Sequence, residues 1–204
     1  MKKTAIIAAA AIMSAAAAKA QVHPAGTFTI QPKVGVTVAN ITKAESDSKV
    51  GLVAGAEVEY QVADRLGISA GLLYSMQGAK GGVYDLGVAK GNSKLNTEYV
   101  NVPILAKIYL IGGLSVNVGP QFGFLTKAQS KVSAEVLGKK VDTDNDLKSV
   151  FNNTDISLPI GASYEMAGFV LDARYNIGLN NVYQNNIDGK NSVVQVTLGY
   201  RFAL

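Results

Sequence analysis

The chain has 204 residues, of which 19 are Lys or Arg and 15 are Asp or Glu, and it contains no Cys. This length fits a single domain, and the absence of Cys excludes a small secreted scaffold held by disulfides. Three basic residues (Lys2, Lys3 and Lys19) lie in the first twenty positions, which leaves 16 basic and 15 acidic residues beyond them. Such a nearly neutral chain, without clusters of Lys and Arg interleaved with aromatics, is not expected to bind nucleic acid.

Residues 1–20 are typical of a cleavable secretory signal peptide. Two lysines precede the apolar stretch 5–18, and Ala18-Lys19-Ala20 offers a small-x-small cleavage site before Gln21. We therefore expect residues 21–204 to be exported and to form the mature domain.

The mature chain alternates between apolar and small or polar residues, and this period of two predicts strands. Each predicted strand has about 12 to 15 residues, enough for a tilted strand to cross a bilayer. The eight predicted strands are 27–41, 50–63, 66–77, 97–110, 114–126, 154–166, 169–180 and 192–204. The fold class is therefore all-β.

One face of every predicted strand is apolar without interruption over six alternate positions, as from Phe28 to Val38 in the first strand. The other face carries mainly Gly, Ser, Thr, Asn and Gln, with some apolar residues and few charges. A soluble sandwich or lipocalin-like barrel also alternates, but its water-facing positions should be rich in Lys, Glu and Asp. The composition favours lipid against the apolar face and the crowded interior of a narrow barrel for the other.

Short and long links alternate along the chain. The short links are 64–65, 111–113 and 167–168, and the long links are 42–49, 78–96, 127–153 and 181–191. Outer-membrane barrels have short periplasmic turns and long outer loops, and a sheet in lipid must close because its edge groups find no water. We therefore predict an eight-stranded, antiparallel, up-and-down transmembrane β-barrel with both termini in the periplasm.

Eight charged residues have inward parity, and all fall in the half of the strands nearer the periplasm. They are Lys33, Glu57, Glu59, Lys107, Glu165, Asp172, Arg174 and Arg201, four positive and four negative. Neighbouring strands suggest that Lys33 pairs with Glu57 or Glu59, Glu165 with Arg174, and Asp172 with Arg201. Two interpretations remain open: a polar plug that blocks or gates the bore, and a network that only neutralises buried charge.

The last predicted strand, Ser192 to Leu204, has alternating apolar residues that end in Tyr200, Phe202 and Leu204. It resembles the terminal strand of outer-membrane proteins. The mature chain is similar to small eight-stranded barrels of the OmpA/OmpX type, described as outer membrane protein beta-barrel domain or porin family proteins of Gram-negative bacteria. The resemblance implies periplasmic chaperones and the barrel-assembly machinery as partners, with those three residues as the assembly signal. It also implies surrounding outer-membrane lipid and lipopolysaccharide.

No catalytic constellation is visible in the chain. Its single histidine, His23, precedes the first strand, whereas lipid- or peptide-cleaving barrels usually need a His within reach of a Ser or Asp. We expect no enzyme activity, cofactor or metal. The predicted role is structural or one of surface interaction through the long loops, above all 127–153, with an extracellular partner that the sequence does not identify. The alternative is a narrow or gated porin-like channel for small solutes.

Overall fold

The computed structural model describes residues 24–42, 46–81, 84–85, 89–136, 139–184 and 188–204. The predicted signal peptide, residues 1–20, and His23 lie outside this described part. Helical structure is represented by the short 3-10 turn Lys148–Val150. Among the described residues, no helix has the length and apolar character needed to span a bilayer.

The described residues form twelve strands. They are β1 Phe28–Ile41, β2 Ser46–Ala63, β3 Leu66–Gly81, β4 Tyr84–Asp85, β5 Ala89–Tyr109, β6 Leu114–Val118, β7 Gln121–Val136, β8 Lys139–Asp146, β9 Thr154–Met166, β10 Phe169–Gly178, β11 Asn191–Tyr200 and β12 Phe202–Ala203. Two of them, β4 and β8, only extend hairpins, because β4 pairs with β5 and β8 with β7.

The remaining strands form a closed antiparallel ring with eight positions. From β1 the ring runs through β2, β3 and β5 to β6 and β7, which share the fifth position, and then through β9 and β10 to β11. β11 and the short β12 both pair with β1 and close the ring. The fifth position is interrupted at Gly119-Pro120, where proline has no N–H to donate to the ladder. The predicted eight-stranded barrel is confirmed.

The barrel has two different ends. We call the end with the links 64–65, 110–113 and 167–168 the turn end, and the opposite end the hairpin end. At the turn end the strands stop within two residues of the predicted positions, apart from the split into β11 and β12. The link 167–168 is a two-residue hairpin in which Ala167 and Gly168 have φ of 52° and 83°, since a turn of type I′ needs positive φ at both positions.

At the hairpin end the predicted long loops are partly wrong. The backbone pairing of β2 with β3, and that of β5 with β7, continues well beyond the predicted strand limits. Within the predicted loop 127–153, β7 runs on to Val136 and β8 returns beside it to Asp146. These extensions were missed because their outward positions, such as Lys94, Lys127 and Lys131, are polar. Backbone pairing continues there, whereas the outward apolar face that marked the predicted strands stops.

The two faces of the barrel have the predicted composition. None of the six apolar positions in any strand is buried. Opposite-parity side chains such as Thr37, Asn117 and Asp172 are almost completely buried. A barrel with apolar residues outside and polar residues inside is stable in hydrocarbon rather than in water.

Aromatic residues border the apolar outer surface. Near the turn end, the rings of Phe28 and Tyr60 lie 4.7 Å apart, and Tyr200 lies 5.0 Å from Phe169 and 4.8 Å from Phe202. Near the hairpin end, the exposed aromatics are Tyr74, Phe122 and Phe124. Aromatic side chains are enriched at the two lipid–water interfaces of membrane barrels. Tyrosine suits this position because its ring is apolar and its hydroxyl can contact water.

If lipid surrounds the apolar face, the stability lost on introducing a charge there should depend on its depth in the bilayer. Leu72 is 61% exposed near the middle of the apolar band, and Leu66 lies at the turn end of the same strand. In lipid vesicles, Leu72→Arg should lower the free energy of unfolding by about 2–4 kcal/mol, whereas Leu66→Arg should cost about 0–1 kcal/mol. Denaturant titration of refolded protein in vesicles measures both values. If water surrounded this face, both substitutions would stay within about 0.5 kcal/mol, and that result would contradict the lipid assignment.

Candidate functional site: the filled bore

All eight predicted inward charges are buried and joined in one network near the turn end. Glu57 on β2 lies at its centre. Its carboxylate accepts hydrogen bonds from Nη1 and Nη2 of Arg174 at 2.5 and 2.9 Å and from Nζ of Lys33 at 2.9 Å. Nζ of Lys107 lies 3.7 Å from the same carboxylate. Arg174 stands on β10, so its bidentate pair with Glu57 spans the bore past β11 and β1. Nε of Arg174 also lies 2.6 Å from Oδ1 of Asp172.

A second part of the network lies around Glu59. Its Oε2 is 2.8 Å from Nζ of Lys107 and 3.2 Å from Nη2 of Arg201. Nε of Arg201 is in turn 3.1 Å from Oε2 of Glu165. Lys107 contacts both glutamates of β2 and joins the two parts. Four cations are thereby matched by four anions, which is the condition for burying charge without a large penalty.

The predicted pairing is right for one pair and wrong for two. Lys33 does pair with Glu57. Glu165 lies opposite Val170, and Arg174 opposite Gly161, so Glu165 and Arg174 are four residues apart along the ladder. Asp172 and Arg201 have a similar offset. Four residues correspond to about 13 Å, which is too far for a direct pair, and each arginine instead reaches a partner in or across the bore.

Glycines on neighbouring strands make room for these long side chains. A Cβ atom added at Gly71 would lie 2.5 Å from Cγ of Glu57, and one at Gly67 would lie 2.6 Å from Oε1 of Glu59. Both glycines are on β3, between the glutamates of β2 and Lys107 of β5. The absence of side chains at these two positions leaves the space that the side chains of Glu57 and Glu59 occupy.

Uncharged side chains complete the network. The Tyr109 hydroxyl donates a hydrogen bond to Glu59 and accepts one from Nη1 of Arg201 at 2.8 Å. Oδ2 of Asp172 accepts from Oγ of Ser163 at 2.5 Å and from Nδ2 of Asn117 at 3.2 Å. The sequence analysis did not single out these three residues. Their inward parity is the signal that could have identified them.

Between the network and the hairpin end lies a polar band. Thr37 donates to the carbonyl of Met76 at 2.6 Å, and Gln121 donates to Ser157 at 3.2 Å. Other buried atoms of the band, including Oδ1 of Asn176 and Nε2 of Gln195, have no hydrogen-bond partner within the described part of the chain. Buried polar groups of this kind are usually satisfied by internal water.

The hairpin end of the bore is covered by an apolar cluster, which we call the cap. Its buried members come from the ends of several strands and from two links, with Leu95, Leu147 and Tyr183 packed against them. They are Ile41, Ala79, Tyr99, Leu125, Ala128, Phe151 and Val182. Phe151 and Val182 are buried although they stand in predicted loops, so these segments fold over the bore.

Hydrogen bonds fasten the two links of the cap to each other. Phe151 and Tyr183 form an antiparallel bridge with ring centroids 5.0 Å apart. The Asn152 side chain donates to the carbonyls of Asn181 and Tyr183 at 2.8 and 3.0 Å. The Gln184 side chain donates to the carbonyl of Phe151 at 3.0 Å. The cap is thus a fixed part of the fold.

Asp155 is a further buried charge that the sequence analysis missed. It lies below the cap and accepts a hydrogen bond from Nδ2 of Asn191 at 2.9 Å. The same amide lies 3.5 Å from the hydroxyl of Tyr99. Its inward parity, shared with Ser157, could have identified it.

The predicted assembly signal lies outside the bore. Tyr200, Phe202 and Leu204 point to the lipid side at the turn end and are exposed. The amide of Leu204 donates to the carbonyl of Phe28 at 2.9 Å, so the chain end is paired into the sheet. Their role in assembly stays a prediction. Within the described residues, no group of three or more acidic or histidine side chains is arranged to hold a metal.

Several solved outer-membrane proteins align with most of this chain. The attachment invasion locus protein Ail of Yersinia pestis is 15% identical, with a TM-score of 0.45, and the alignment covers 87% of this chain and 99% of Ail. Neisserial surface protein A is 11% identical, with a TM-score of 0.48, and the alignment covers 86% of this chain and 97% of that protein. OprG of Pseudomonas aeruginosa is 14% identical, with a TM-score of 0.38, and the alignment covers 90% of this chain and 99% of OprG. No curated protein sequence matches the chain significantly.

A family match covers most of the chain. Residues 19–184 match the family described as outer membrane protein beta-barrel domain. This match confirms the resemblance first indicated by the terminal strand, and it agrees with the closed ring and the apolar outer surface. The chain is an integral outer-membrane protein and belongs to the outer membrane protein beta-barrel domain family.

Proposed function

We propose that the protein is a closed barrel that acts at the cell surface through its hairpin end. The observation that carries the proposal is that side chains fill the bore at two levels, the charge network near the turn end and the cap near the hairpin end. Neither level leaves the bore lined by water-facing side chains, as a general pore requires. Function is therefore assigned to the outer surface.

The proposed orientation places the hairpin end outside the cell and both termini in the periplasm. Short turns face the periplasm in outer-membrane barrels and long connections face outward. In this protein part of the long connections is paired into hairpins, and β7–β8 has eight described residue pairs. We propose this hairpin as the main contact surface for an extracellular partner, and no enzymatic role.

Biogenesis is part of the same proposal. Tyr200, Phe202 and Leu204 form a continuous apolar edge at the turn end, and the proposed orientation presents this edge on the periplasmic side. We propose that periplasmic chaperones and the barrel-assembly machinery recognise it.

A narrow or gated channel is the second candidate. The polar band supports it, because buried atoms such as Oδ1 of Asn176 need water, and a hydrated band between two closed levels could conduct if both levels moved. Conductance separates the two candidates.

The closed-barrel proposal predicts that the purified protein does not conduct. In planar bilayers, folded protein should give no steady current steps, because ions cannot pass the charge network or the cap. Slower migration after heating on a gel verifies that the inserted sample was folded, and the detergent alone serves as the blank. Large, steady conductance of the unmodified protein would contradict the proposal and favour the channel.

Two levels of closure predict a specific pattern among variants. Glu57→Ala/Arg174→Ala removes one cation and one anion from the network, and Phe151→Ser/Val182→Ser disrupts the cap. Each double variant alone should remain closed, because the other level still fills the bore, and the combined quadruple variant should conduct steadily. Single-channel recording in planar bilayers measures this.

The matched control removes an ion pair from the outer surface. Nζ of Lys127 lies 4.0 Å from Oε1 of Glu98, and both side chains are partly exposed. Glu98→Ala/Lys127→Ala combined with the cap variant should stay closed. A quadruple bore variant that folds but does not conduct would show that the two levels are not what closes the barrel.

A further inference from the structure

The buried charges of the bore do not balance once Asp155 is counted. Within the part of the chain whose side chains the structure describes, nine charged residues are buried, four of them cationic and five acidic. The eight members of the network match one another, so the remaining negative charge belongs to Asp155, which is 6% exposed. An ionised carboxylate in such surroundings is costly unless a positive charge accompanies it. Asp155 therefore requires either a proton or a cation.

The network does not supply this cation. No described lysine or arginine lies within ion-pair distance of Asp155, and its carboxylate accepts one described hydrogen bond, from Nδ2 of Asn191 at 2.9 Å. Arg174 is the network cation on the neighbouring strand β10, and it lies opposite Gly161, six residues along β9 from Asp155. Six residues span roughly 20 Å along a strand. The neutralising charge must therefore come from outside the described side chains.

A second oxygen atom without a partner lies beside Asp155. Gly123 on β7 lies between Asn101 on β5 and Asp155 on β9, directly opposite both. The position that a Cβ atom of Gly123 would occupy is 2.7 Å from Oδ1 of Asn101 and 3.3 Å from Cβ of Asp155. Asn101 is 2% exposed, and its Oδ1 accepts no hydrogen bond within the described part of the chain. The missing side chain of Gly123 thus leaves a small space that both residues adjoin.

Tyr99 limits this space on the side of the hairpin end. It is the next inward residue of β5 after Asn101, and its hydroxyl lies 3.5 Å from the Asn191 amide that also contacts Asp155. Leu125 lies opposite Tyr99, and both belong to the apolar cap. The space is therefore bordered by oxygen atoms and closed above by apolar side chains, which admits only a small occupant.

The ligand atoms and the charge indicate what this occupant is. Carboxylate and amide oxygens are ligands of hard cations. One carboxylate balances one positive charge, whereas a divalent ion would leave an excess positive charge buried. Within the described residues, no group of three or more acidic or histidine side chains is arranged to hold such an ion. A proton is less favourable at neutral pH, because an aspartic acid normally ionises near pH 4.

We propose that this space, which we call the Asp155 site, binds one small alkali-metal cation, sodium or potassium, through the carboxylate of Asp155 and Oδ1 of Asn101. The cation neutralises the ninth buried charge and thereby stabilises the folded barrel. The site goes beyond the proposed surface function, because it depends neither on which end faces outward nor on whether the bore conducts. The sequence analysis predicted no metal, since the two ligands stand on strands that are distant in the chain.

The test is the linkage between cation binding and unfolding. The folded protein in phosphatidylcholine vesicles is unfolded with urea at about pH 8 in choline chloride, which is replaced stepwise by sodium chloride or potassium chloride at constant ionic strength. A ligand that binds only the folded state stabilises it according to its concentration and dissociation constant. At about ten times that constant, the alkali cation should lower the unfolding equilibrium constant about tenfold relative to choline, which is too large for the space under the cap.

Two variants remove the site in different ways. Asp155→Asn removes the charge with little change in size, and Gly123→Ala places a methyl group in the space between Asn101 and Asp155. In each variant the difference between alkali cations and choline should fall below about twofold, and Gly123→Ala carries the test if Asp155→Asn does not fold. The matched control, Asp64→Asn, removes an exposed carboxylate at the turn end and should retain the full difference.

Four outcomes would overturn the proposal. They are equal unfolding constants of the unmodified protein in choline, sodium and potassium; an alkali effect that persists in Asp155→Asn; an alkali effect that is lost in Asp64→Asn; and stability that responds to pH but not to the cation, which would assign a proton to Asp155. None of these measurements depends on conductance or on the orientation of the barrel. Failure of the site would therefore leave the proposed surface role untouched.

Discussion

The structure depends on one constraint: hydrocarbon offers no hydrogen-bond partner to a peptide group. A sheet in that medium must pair all of its edges, and β11 and β12 meet that requirement by pairing with β1. The medium also determines the outer surface, because every side chain that touches it must be apolar over the thickness of the bilayer. Since outward positions accept only apolar residues, every charged or amide side chain within the membrane-spanning part is directed into a narrow bore.

Crowding in that bore explains the composition of the inner face. Eight strands enclose a space that side chains just fill, so long charged residues require neighbours without side chains, as Gly67 and Gly71 provide for Glu59 and Glu57. Removing one member of a buried pair typically costs about 3–5 kcal/mol. Equal numbers of cations and anions, joined through Lys107, are therefore a condition of stability whether or not the network also closes the bore. The cap has no such requirement and is built from apolar residues and backbone bonds.

The sequence was sufficient where the membrane imposes a pattern. The outward-facing residues and the strand limits at the turn end could be predicted, because the apolar alternation that lipid requires runs up to the short turns and ends there. The ion-pair partners of Arg174 and Arg201 could not be predicted. An arginine side chain can cross a narrow bore, so its partner depends on the order of strands around the ring and not only on the register with the neighbouring strand. The cap was missed because Phe151 and Val182 are isolated apolar residues in polar segments. The strand extensions were missed because their outward positions are polar, so the outward apolar face ends while backbone pairing continues.

The strands continue without interruption from lipid into the aqueous layer, so each outward position reflects the environment at its own height. Along β5, Val100 lies at the aromatic border, Glu98 is hydrogen-bonded to Tyr74 just beyond it, and Lys94 carries an exposed cation further out. Lysine opposite lysine, as in Lys94 and Lys80, has no advantage for the sheet itself, whereas the eight buried charges of the network are each matched. The charges of the network are thus neutralised within the bore, whereas Lys94 is exposed on the outer face.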